Sequence, residues 1–490
     1  MLPSYVGFLS GLNHPLRWVT ALTIAAGLRL AAADWLQFRG PNGLGVAALD
    51  AQPPLQFNPT NNLNWSLPMA AGNSSPVVRG DRLFITAHIG ANQLATIAIN
   101  RRQGRELWRR VVQPEKVEEV HRTLGSPASA TPCIDADRLY VHFGSFGLLA
   151  YDLNGRELWR LPMNLTQTEY GASSSPIVVG NLVIQLLDQD GGSHLLAVDK
   201  HTGMQVWRVE RPEMRRGFGT PVVWENQGRT DLVVPGTYWM KGLDPLSGVE
   251  RWRVGGLARI TCTSPAIGDG MLFAASWTTG GDHNAEHITM PSFEAFAQEH
   301  DNNRDGKFTF NELPDGAVKQ RFKHLDGNRD NAVDREEWES MASIFERVEN
   351  QAFSVKPDAA GRVADSGILW RFKKGLPYVA SPVYYQSRFY MVKNGGLLTC
   401  LDTATGKAVY QEERLGALGD YYSSLVAANG RIYVTSQRGV MCVVRAGDTF
   451  EVLARNDLRE PVQATPAAIG DTLYVRTAGH LHAFQETVVK

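Results

Sequence analysis

Ser175-Pro176, followed after an apolar run by Leu195-Leu196-Ala197-Val198-Asp199-Lys200-His201-Thr202-Gly203-Met204-Gln205-Val206-Trp207, is one full copy of a phrase that repeats along this chain. A Ser/Thr-Pro pair opens the phrase, apolar runs separated by a Gly-containing turn fill it, and a second Gly turn and an aromatic residue close it. The opening pair recurs as Ser75-Pro76, Thr131-Pro132, Thr220-Pro221, Ser264-Pro265, Ser381-Pro382 and Thr465-Pro466. Ser424-Leu425 lacks the proline but keeps the following Asn429-Gly430-Arg431-Ile432-Tyr433. The eight copies are spaced 56, 44, 45, 44, 117, 43 and 41 residues apart. Short strands repeating with a period of about 44 residues are the signature of a four-stranded propeller blade.

The strands of the first copy are expected at Pro76–Val78, Leu83–Ala87, Ala95–Ile99 and Glu106–Val111. The last turn of each copy supplies a residue that tolerates positive φ: Gln103-Gly104, Asn154-Gly155, Thr202-Gly203, Ser247-Gly248 and Thr405-Gly406. Trp108, Trp159, Trp207, Trp252 and Tyr410 follow these turns, and Trp370 follows Ser366-Gly367. A large flat side chain at one fixed place in every blade predicts packing between blades. The eighth copy ends at Leu481–Glu486 without its Trp strand, and a spare one, Leu63-Asn64-Trp65-Ser66-Leu67, precedes the first copy. If that strand completes the eighth blade, the ring closes without a leftover sheet edge. The expected fold is therefore all-β: an eight-bladed β-propeller of four-stranded blades, closed by an N-terminal strand.

The blades resemble pyrroloquinoline-quinone-type propeller repeats, of the form Ser-Pro-x-x-x-Gly-x-x-Leu-Tyr-Val…Leu-x-Ala-x-Asp-x-x-Thr-Gly-x-x-x-Trp. The segment Asp34-Trp35-Leu36-Gln37-Phe38-Arg39-Gly40-Pro41-Asn42-Gly43 resembles the opening of exported bacterial proteins of the same superfamily. The resemblance spans nearly all of the chain after residue 33 except one insertion. It implies the fold, and it leaves open two functions found in that superfamily: quinoprotein dehydrogenases and non-catalytic scaffolds of outer-membrane assembly.

The bulk composition agrees with an ordinary folded protein. Of 490 residues, 43% are hydrophobic and 20% charged, which excludes wholesale disorder and a polytopic membrane protein. Lys and Arg (49) nearly cancel Asp and Glu (50), so the basic surplus that nucleic-acid binding needs is missing. Residues 1–33 read as a signal peptide: Arg17 is the positive flank, Trp18 to Gly27 is mostly apolar, and Ala31-Ala32-Ala33 offers a small-x-small cleavage pattern. The apolar stretch is shorter than the roughly 20 residues that a membrane span requires. The mature chain is expected to be periplasmic or secreted, without a membrane span. No Cys lies near the expected cleavage site, so lipid attachment there is unsupported. Cys133, Cys262, Cys400 and Cys442 are widely separated and read as buried small apolar residues.

The 117-residue gap exceeds the period by about 73 residues and places an insertion at 279–351, between the second and third strands of blade five. The propeller thus divides into residues 34–278 and 352–490. Because strands alternate in direction, the insertion belongs on the face that carries the blade-to-blade connections. It contains Asp301-Asn302-Asn303-Arg304-Asp305-Gly306-Lys307-Phe308-Thr309-Phe310-Asn311-Glu312, an EF-hand loop. Calcium wants six to eight oxygens, and such a loop offers them at positions 1, 3, 5, 7, 9 and 12. Here these are Asp301, Asn303, Asp305, the Lys307 carbonyl, Thr309 and Glu312. A second loop offers Asp326, Asn328, Asp330, the Ala332 carbonyl, Asp334 and Glu337, with Asn331 where Gly is usual. Two calcium sites are expected, joined by one short helix within Leu313–Leu325 and acting as a structural clamp more than as a sensor. Upstream, His283 and His287 stand four apart, which would put both on one face of a helix; the Glu-first order of a metalloprotease motif is missing, and a polar turn is the simpler reading.

The segments before each Ser/Thr-Pro should converge around the central channel. They carry His121, Arg122, Tyr170, Arg215, Arg216, Arg259, Tyr378, Tyr421 and Tyr422, with Asn73, Glu169 and Gln463 among them. Arg, Tyr and His in a ring suit an anionic or aromatic ligand or a protein partner; equally, they suit the bracing of loops around a hydrated channel. The favoured reading is an exported, calcium-binding, non-catalytic binding or scaffold protein. The alternative is a quinone-dependent dehydrogenase with pyrroloquinoline quinone in the channel. The resemblance implies that such enzymes carry a vicinal disulfide over the quinone, and this sequence has no Cys-Cys pair.

Overall fold

The computed structural model describes residues 34–279, 290–328, 330–358 and 361–486. The expected leader, 1–33, and the His283/His287 segment lie outside the described residues. The strands form eight four-stranded sheets arranged as an eight-bladed β-propeller. Blade one, for example, comprises Val77–Arg79, Arg82–Gly90, Gln93–Asn100 and Arg105–Val112, each pairing antiparallel with the next. Blade eight comprises Ala467–Ile469, Thr472–Arg476, His480–Gln485 and the N-terminal strand Leu63–Pro68. In it Ser66 sits opposite His482 and Pro68 opposite His480, so the ring closes as the spare Trp strand indicates. Among the described residues, no helix is long and apolar enough to cross a membrane. All four cysteines are free.

The Ser/Thr-Pro pairs build the centre of the ring. The Ser75 N–H donates to Thr131 Oγ1 (2.9 Å), Thr131 N–H to Ser175 Oγ (2.9 Å), and Ser175 N–H to Thr220 Oγ1 (3.0 Å). The pattern continues through Ser264, Ser381, Ser424 and Thr465, and the Thr465 N–H returns to Ser75 Oγ at 3.0 Å. All eight residues are buried, so each hydroxyl satisfies a backbone donor that water does not reach. Proline in the next position removes an N–H that would need its own partner. At the one exception, the Leu425 N–H finds the Ser381 carbonyl at 3.3 Å, which explains how this copy manages without Pro.

The aromatic positions lock the blades together farther out. Trp159 Nε1 donates to the Lys200 carbonyl of the next blade (3.0 Å), and its ring lies on Gly203, whose φ is 73°. A β-carbon at Gly203 would lie 2.7 Å from that ring, so the turn needs Gly for both conformation and contact. Trp65, Trp108, Trp207 and Trp370 repeat the seat against Gly104, Gly155, Gly248 and Gly406, each with an indole N–H on a carbonyl of the next blade. Trp252 departs from the pattern. Its N–H donates to Asp231 of its own blade (3.0 Å), because the turn before Trp370 is a 3-10 segment, Asp365–Gly367, that does not reach it.

Residues 35–52 make a feature that the sequence did not announce. Trp35 exchanges backbone hydrogen bonds with Val78, the Leu36 carbonyl accepts from Ile134, Gly45 and Ala47 bond to Ala427, and Gln52 bonds to Gly470. These partners lie at the far ends of first strands, so the segment crosses the face opposite the insertion. Arg39 is fully buried there with its Nη2 on the Leu44 and Pro382 carbonyls.

Replacing Thr465 with Val keeps the shape and removes the acceptor for the Ser424 N–H. The loss should be about 1–3 kcal/mol of stability, read as a lower urea midpoint. A midpoint equal to wild type would contradict the role given to the hydroxyl ring.

Candidate functional site

The site is built on the face carrying the blade-to-blade connections. Three tyrosines named from sequence, Tyr170, Tyr378 and Tyr422, line an axial cavity with Phe218, Ile260 and Cys262; the hydroxyl ring lies below them and Phe38 at the opposite end. Asn73 and Gln463 also line it, hydrogen-bonded to each other at 2.7 Å. Among the described residues, the cavity lining includes no Asp, Glu, Lys or Arg. Burial raises the hydroxyl pKa values of Tyr378 and Tyr422, so both stay neutral donors.

The arginines gather beside this cavity, on the side toward the insertion. Arg216 is buried in a two-point pair with Asp190 (2.6 and 3.1 Å) and reaches Glu169 at 2.9 Å. Burial opposes its charge, but the two carboxylates outweigh it and hold its pKa above the ordinary value. Arg215 donates to the Asp190 carbonyl at 3.2 Å and packs against Gly327 of the insertion. Arg259 lies over the Phe345 ring, 5.5 Å from its centroid, and among the described residues no carboxylate pairs with it. Burial, then the charges of Arg216 and Arg321, lower it to about 10. His324 of the insertion faces the same cluster and is lowered to about 4, by burial first and Arg216 second.

The remaining residues named from sequence divide. His121 is exposed and stacks on Tyr170 (5.5 Å between centroids, 19° between planes). Arg122 is exposed. Tyr421 is not part of the site: it is fully buried between blades, donating its hydroxyl to the Ala417 carbonyl at 2.6 Å. Sequence reading missed Asp190, His324 and Glu118. Asp190 and His324 enter the site through tertiary partners, and Glu118 is a buried brace among the connecting loops.

The insertion has its own small core. Helix α1 (Phe293–His300) is capped by Ser292, and helix α4 (Arg335–Arg347) by an Asp334–Glu337 capping box. Between them the expected single helix is two separate turns, α2 (Ala317–Gln320) and α3 (Phe322–Leu325), broken at Arg321. Phe293, Phe296, Phe308, Val333, Trp338 and Met341 pack inside. Phe308 pairs with Val333 and Thr309 with Ala332 in a two-stranded ladder joining the two loops.

Each loop curls around its acidic side chains. In the first, Asp301 Oδ2 accepts from the Gly306 N–H (3.0 Å), Asp305 Oδ1 from Lys307, and Glu312 Oε2 from Thr309. Asp301 Oδ1 is buried without a hydrogen-bond partner. In the second, Asp326 accepts from Asp330 and Asn331, and Glu337 from Gly327, Asn328 and Asp334. Asn331 has φ 67°, close to the 77° of Gly306 at the matching position. The donors are all oxygens, and one buried carboxylate oxygen lacks a partner, so the residues fit a hard cation. A broad cleft separates these loops from the propeller, lined by Thr168, Glu169 and Arg216 on one side and Phe310, Lys319 and Phe322 on the other.

Glu118 braces the connecting loops. It accepts from Ser145 Oγ (2.5 Å) and the Ala172 N–H (3.1 Å). Burial raises its pKa to about 7, outweighing these two bonds. The folded state therefore holds a proton that the unfolded chain releases above its ordinary 4.5. This contribution is complete below that value and is lost as pH rises through about 7. Urea midpoints should fall between about pH 5 and pH 8, less steeply in Glu118→Gln; parallel profiles would contradict the assignment.

Residues 55–186 and 362–487, together more than half of the chain, match the family described as outer membrane protein assembly factor BamB. A curated relative, the outer membrane protein assembly factor BamB of Kangiella koreensis, is 27% identical over 175 residues, covering 34% of this chain and 40% of the relative. The match thus spans about two fifths of that relative's length. Among solved structures, BamB from Moraxella catarrhalis has a TM-score of 0.55 at 12% identity, covering 86% of this chain and 99% of that one. The quinohemoprotein alcohol dehydrogenase from Comamonas testosteroni has a TM-score of 0.51 at 12% identity, covering 92% and 80%. At these identities the structural likenesses establish the fold alone.

Proposed function

The chain belongs to the family of the outer membrane protein assembly factor BamB, and from that premise we propose that it is an exported, non-catalytic propeller that docks a partner polypeptide on its insertion-bearing face. The observation that carries this reading is Arg259. It is a largely buried guanidinium without a carboxylate of its own, beside an arginine-rich rim and a cavity lined by tyrosines. A carboxylate from outside would complete its charge, and aromatic side chains fit among Tyr170, Tyr378 and Tyr422. The partner is therefore an extended segment with acidic and aromatic side chains, met in the periplasm or beyond.

In this reading the insertion is a tandem EF-hand. Asp301, Asn303, Asp305, Lys307, Thr309 and Glu312 would hold one calcium, and Asp326, Asn328, Asp330, Ala332, Asp334 and Glu337 a second. Extracellular modules of this kind bind at about 10⁻⁴–10⁻³ M, so both ions would be bound where calcium is abundant. Their role is to hold the insertion in shape against Arg215 and the connecting loops.

The quinone reading is favoured by the fold likeness to a quinohemoprotein dehydrogenase. Against it, among the described residues the axial cavity has no carboxylate to hold calcium beside a quinone and no cation to pair with the quinone's own carboxylates. The residues there do not fit the cofactor.

Calorimetry should find two calcium equivalents, and Glu312→Gln with Glu337→Gln should weaken uptake at least about tenfold while the propeller's circular dichroism stays unchanged. Unchanged uptake would refute the calcium assignment. An acidic, tyrosine-rich peptide followed by fluorescence anisotropy should bind the wild type and bind Arg259→Ala more weakly by about tenfold. Equal binding would remove Arg259 from the docking site. After incubation with pyrroloquinoline quinone and calcium, desalted protein should retain no quinone absorbance; stoichiometric retention with dye-linked turnover would replace the docking reading.

A further inference from the structure

A cluster of metal-ligating side chains lies at the seam where the ring closes. Glu460, in the connection from blade seven to blade eight, and His480 and His482, on the third strand of blade eight, place one ligand atom each within 4.8 Å of one another. Strand alternation puts residues 480 and 482 on the same side of the sheet, and their rings stack at 5.5 Å with 23° between planes. Glu460 is held in place by the Thr477 hydroxyl and by the Gly479 N–H (3.0 Å) on Oε2, leaving Oε1 to meet His480 Nδ1 at 2.7 Å.

His482 is the independent sign that something is to be bound. Its side chain lies in a residue only 4% exposed, and neither ring nitrogen has a hydrogen-bond partner. A buried imidazole needs at least one partner, because its neutral form carries one donor and one acceptor. Its neighbours on the strand offer none: Phe484 stacks on one side at 5.4 Å and His480 on the other. His480 and Glu460 are partly exposed, so an ion can enter from solvent.

We propose that Glu460, His480 and His482 bind a d-block divalent cation of the zinc class. Two imidazoles and one carboxylate suit zinc, whereas calcium and magnesium prefer oxygen donors alone. A tetrahedral centre with bonds of 2.0–2.1 Å needs its donors roughly 3.3 Å apart, a closure that the half-exposed His480 side chain can make by rotating. Three protein donors leave a fourth position for water. The consequence is structural and specific to this seam. His480 and His482 sit opposite Pro68 and Ser66 of the closing N-terminal strand, so the ion ties the blade seven connection to the sheet that joins the two ends of the ring.

The test is cobalt titration of the full folded chain, in excess calcium so that the EF-hand loops are occupied. One equivalent of cobalt should give visible d–d absorption, displaced by zinc and untouched by calcium. His480→Ala and Glu460→Gln should weaken cobalt binding by about 100-fold, and His482→Asn should do the same; His480 and Glu460 are partly exposed, so their variants report even where His482→Asn fails to fold. A variant carrying His283→Ala and His287→Ala should keep the band. Absence of the band, its survival in His480→Ala and Glu460→Gln, or its loss on removing His283 and His287 would each overturn the proposal. Zinc should also raise the melting temperature of wild type and not of His480→Ala; an equal rise in both would place the ion elsewhere.

Discussion

Eight buried backbone N–H groups at the centre of a closed ring have no strand partner, and the fold is organised around giving each of them an acceptor. The acceptor is always the Ser or Thr hydroxyl of the next blade. This is a circular constraint: every blade is donor to one neighbour and acceptor to the other, and the last bond returns to the first blade. It explains why the hydroxyl is kept in all eight copies while the following proline is replaced once. The hydroxyl is an obligatory acceptor, and the proline only removes a donor that Leu425 can satisfy otherwise.

Farther from the axis the blades widen, and at five of the eight junctions the gap is filled by a Trp ring lying on a glycine turn, with the indole N–H on the neighbouring backbone. The two devices work at different radii and in the same direction around the ring, each blade reaching to the next. Among the described residues the outer device is missing at three junctions: Tyr410 of blade six has no hydrogen-bond partner for its hydroxyl, the fourth strand of blade seven, Val452–Asp457, carries no aromatic residue, and the third failure lies between blades four and five. There Trp252 turns its N–H back to Asp231, which also receives Arg229 and Arg251. The blade that follows is the one interrupted by the insertion, and its last turn has lost the shape that seats the preceding Trp.

The repeat, the blade count, the closing strand and the interblade role of the aromatics were legible because each recurs, and recurrence separates a structural position from an accident. What occurs once was harder. Residues 35–52, across the far face, bond through backbone groups that leave no side-chain pattern. Tyr421 and Tyr422 are adjacent and alike in sequence; only the structure shows that Tyr422 takes the cavity and Tyr421 the core. The helix expected between the two acidic loops breaks because Gly316, at φ 151°, delays its start to Ala317, and Arg321 leaves helical geometry four residues later. The partners of Arg216 and the burial of Glu118 depend on distant chain segments and had no local signal.

The position of the insertion follows from chain direction alone. A loop between second and third strands must share a face with the links between blades, so a long insertion there comes down on the mouth of the channel. The contacts that result run through consecutive residues. Gly327, inside the second acidic loop, presses on Arg215; Arg215 donates to the backbone of Asp190; and the Asp190 carboxylate neutralises Arg216. With Glu169 on the same guanidinium, two carboxylates are spent on one arginine, and Arg259 is left with an aromatic face and a neighbour of like charge. An anion arriving at the mouth therefore meets Arg259 as a largely buried guanidinium without a carboxylate among the described residues, while the proposed calcium loop fixes the arginine next to the one that Asp190 and Glu169 have already neutralised.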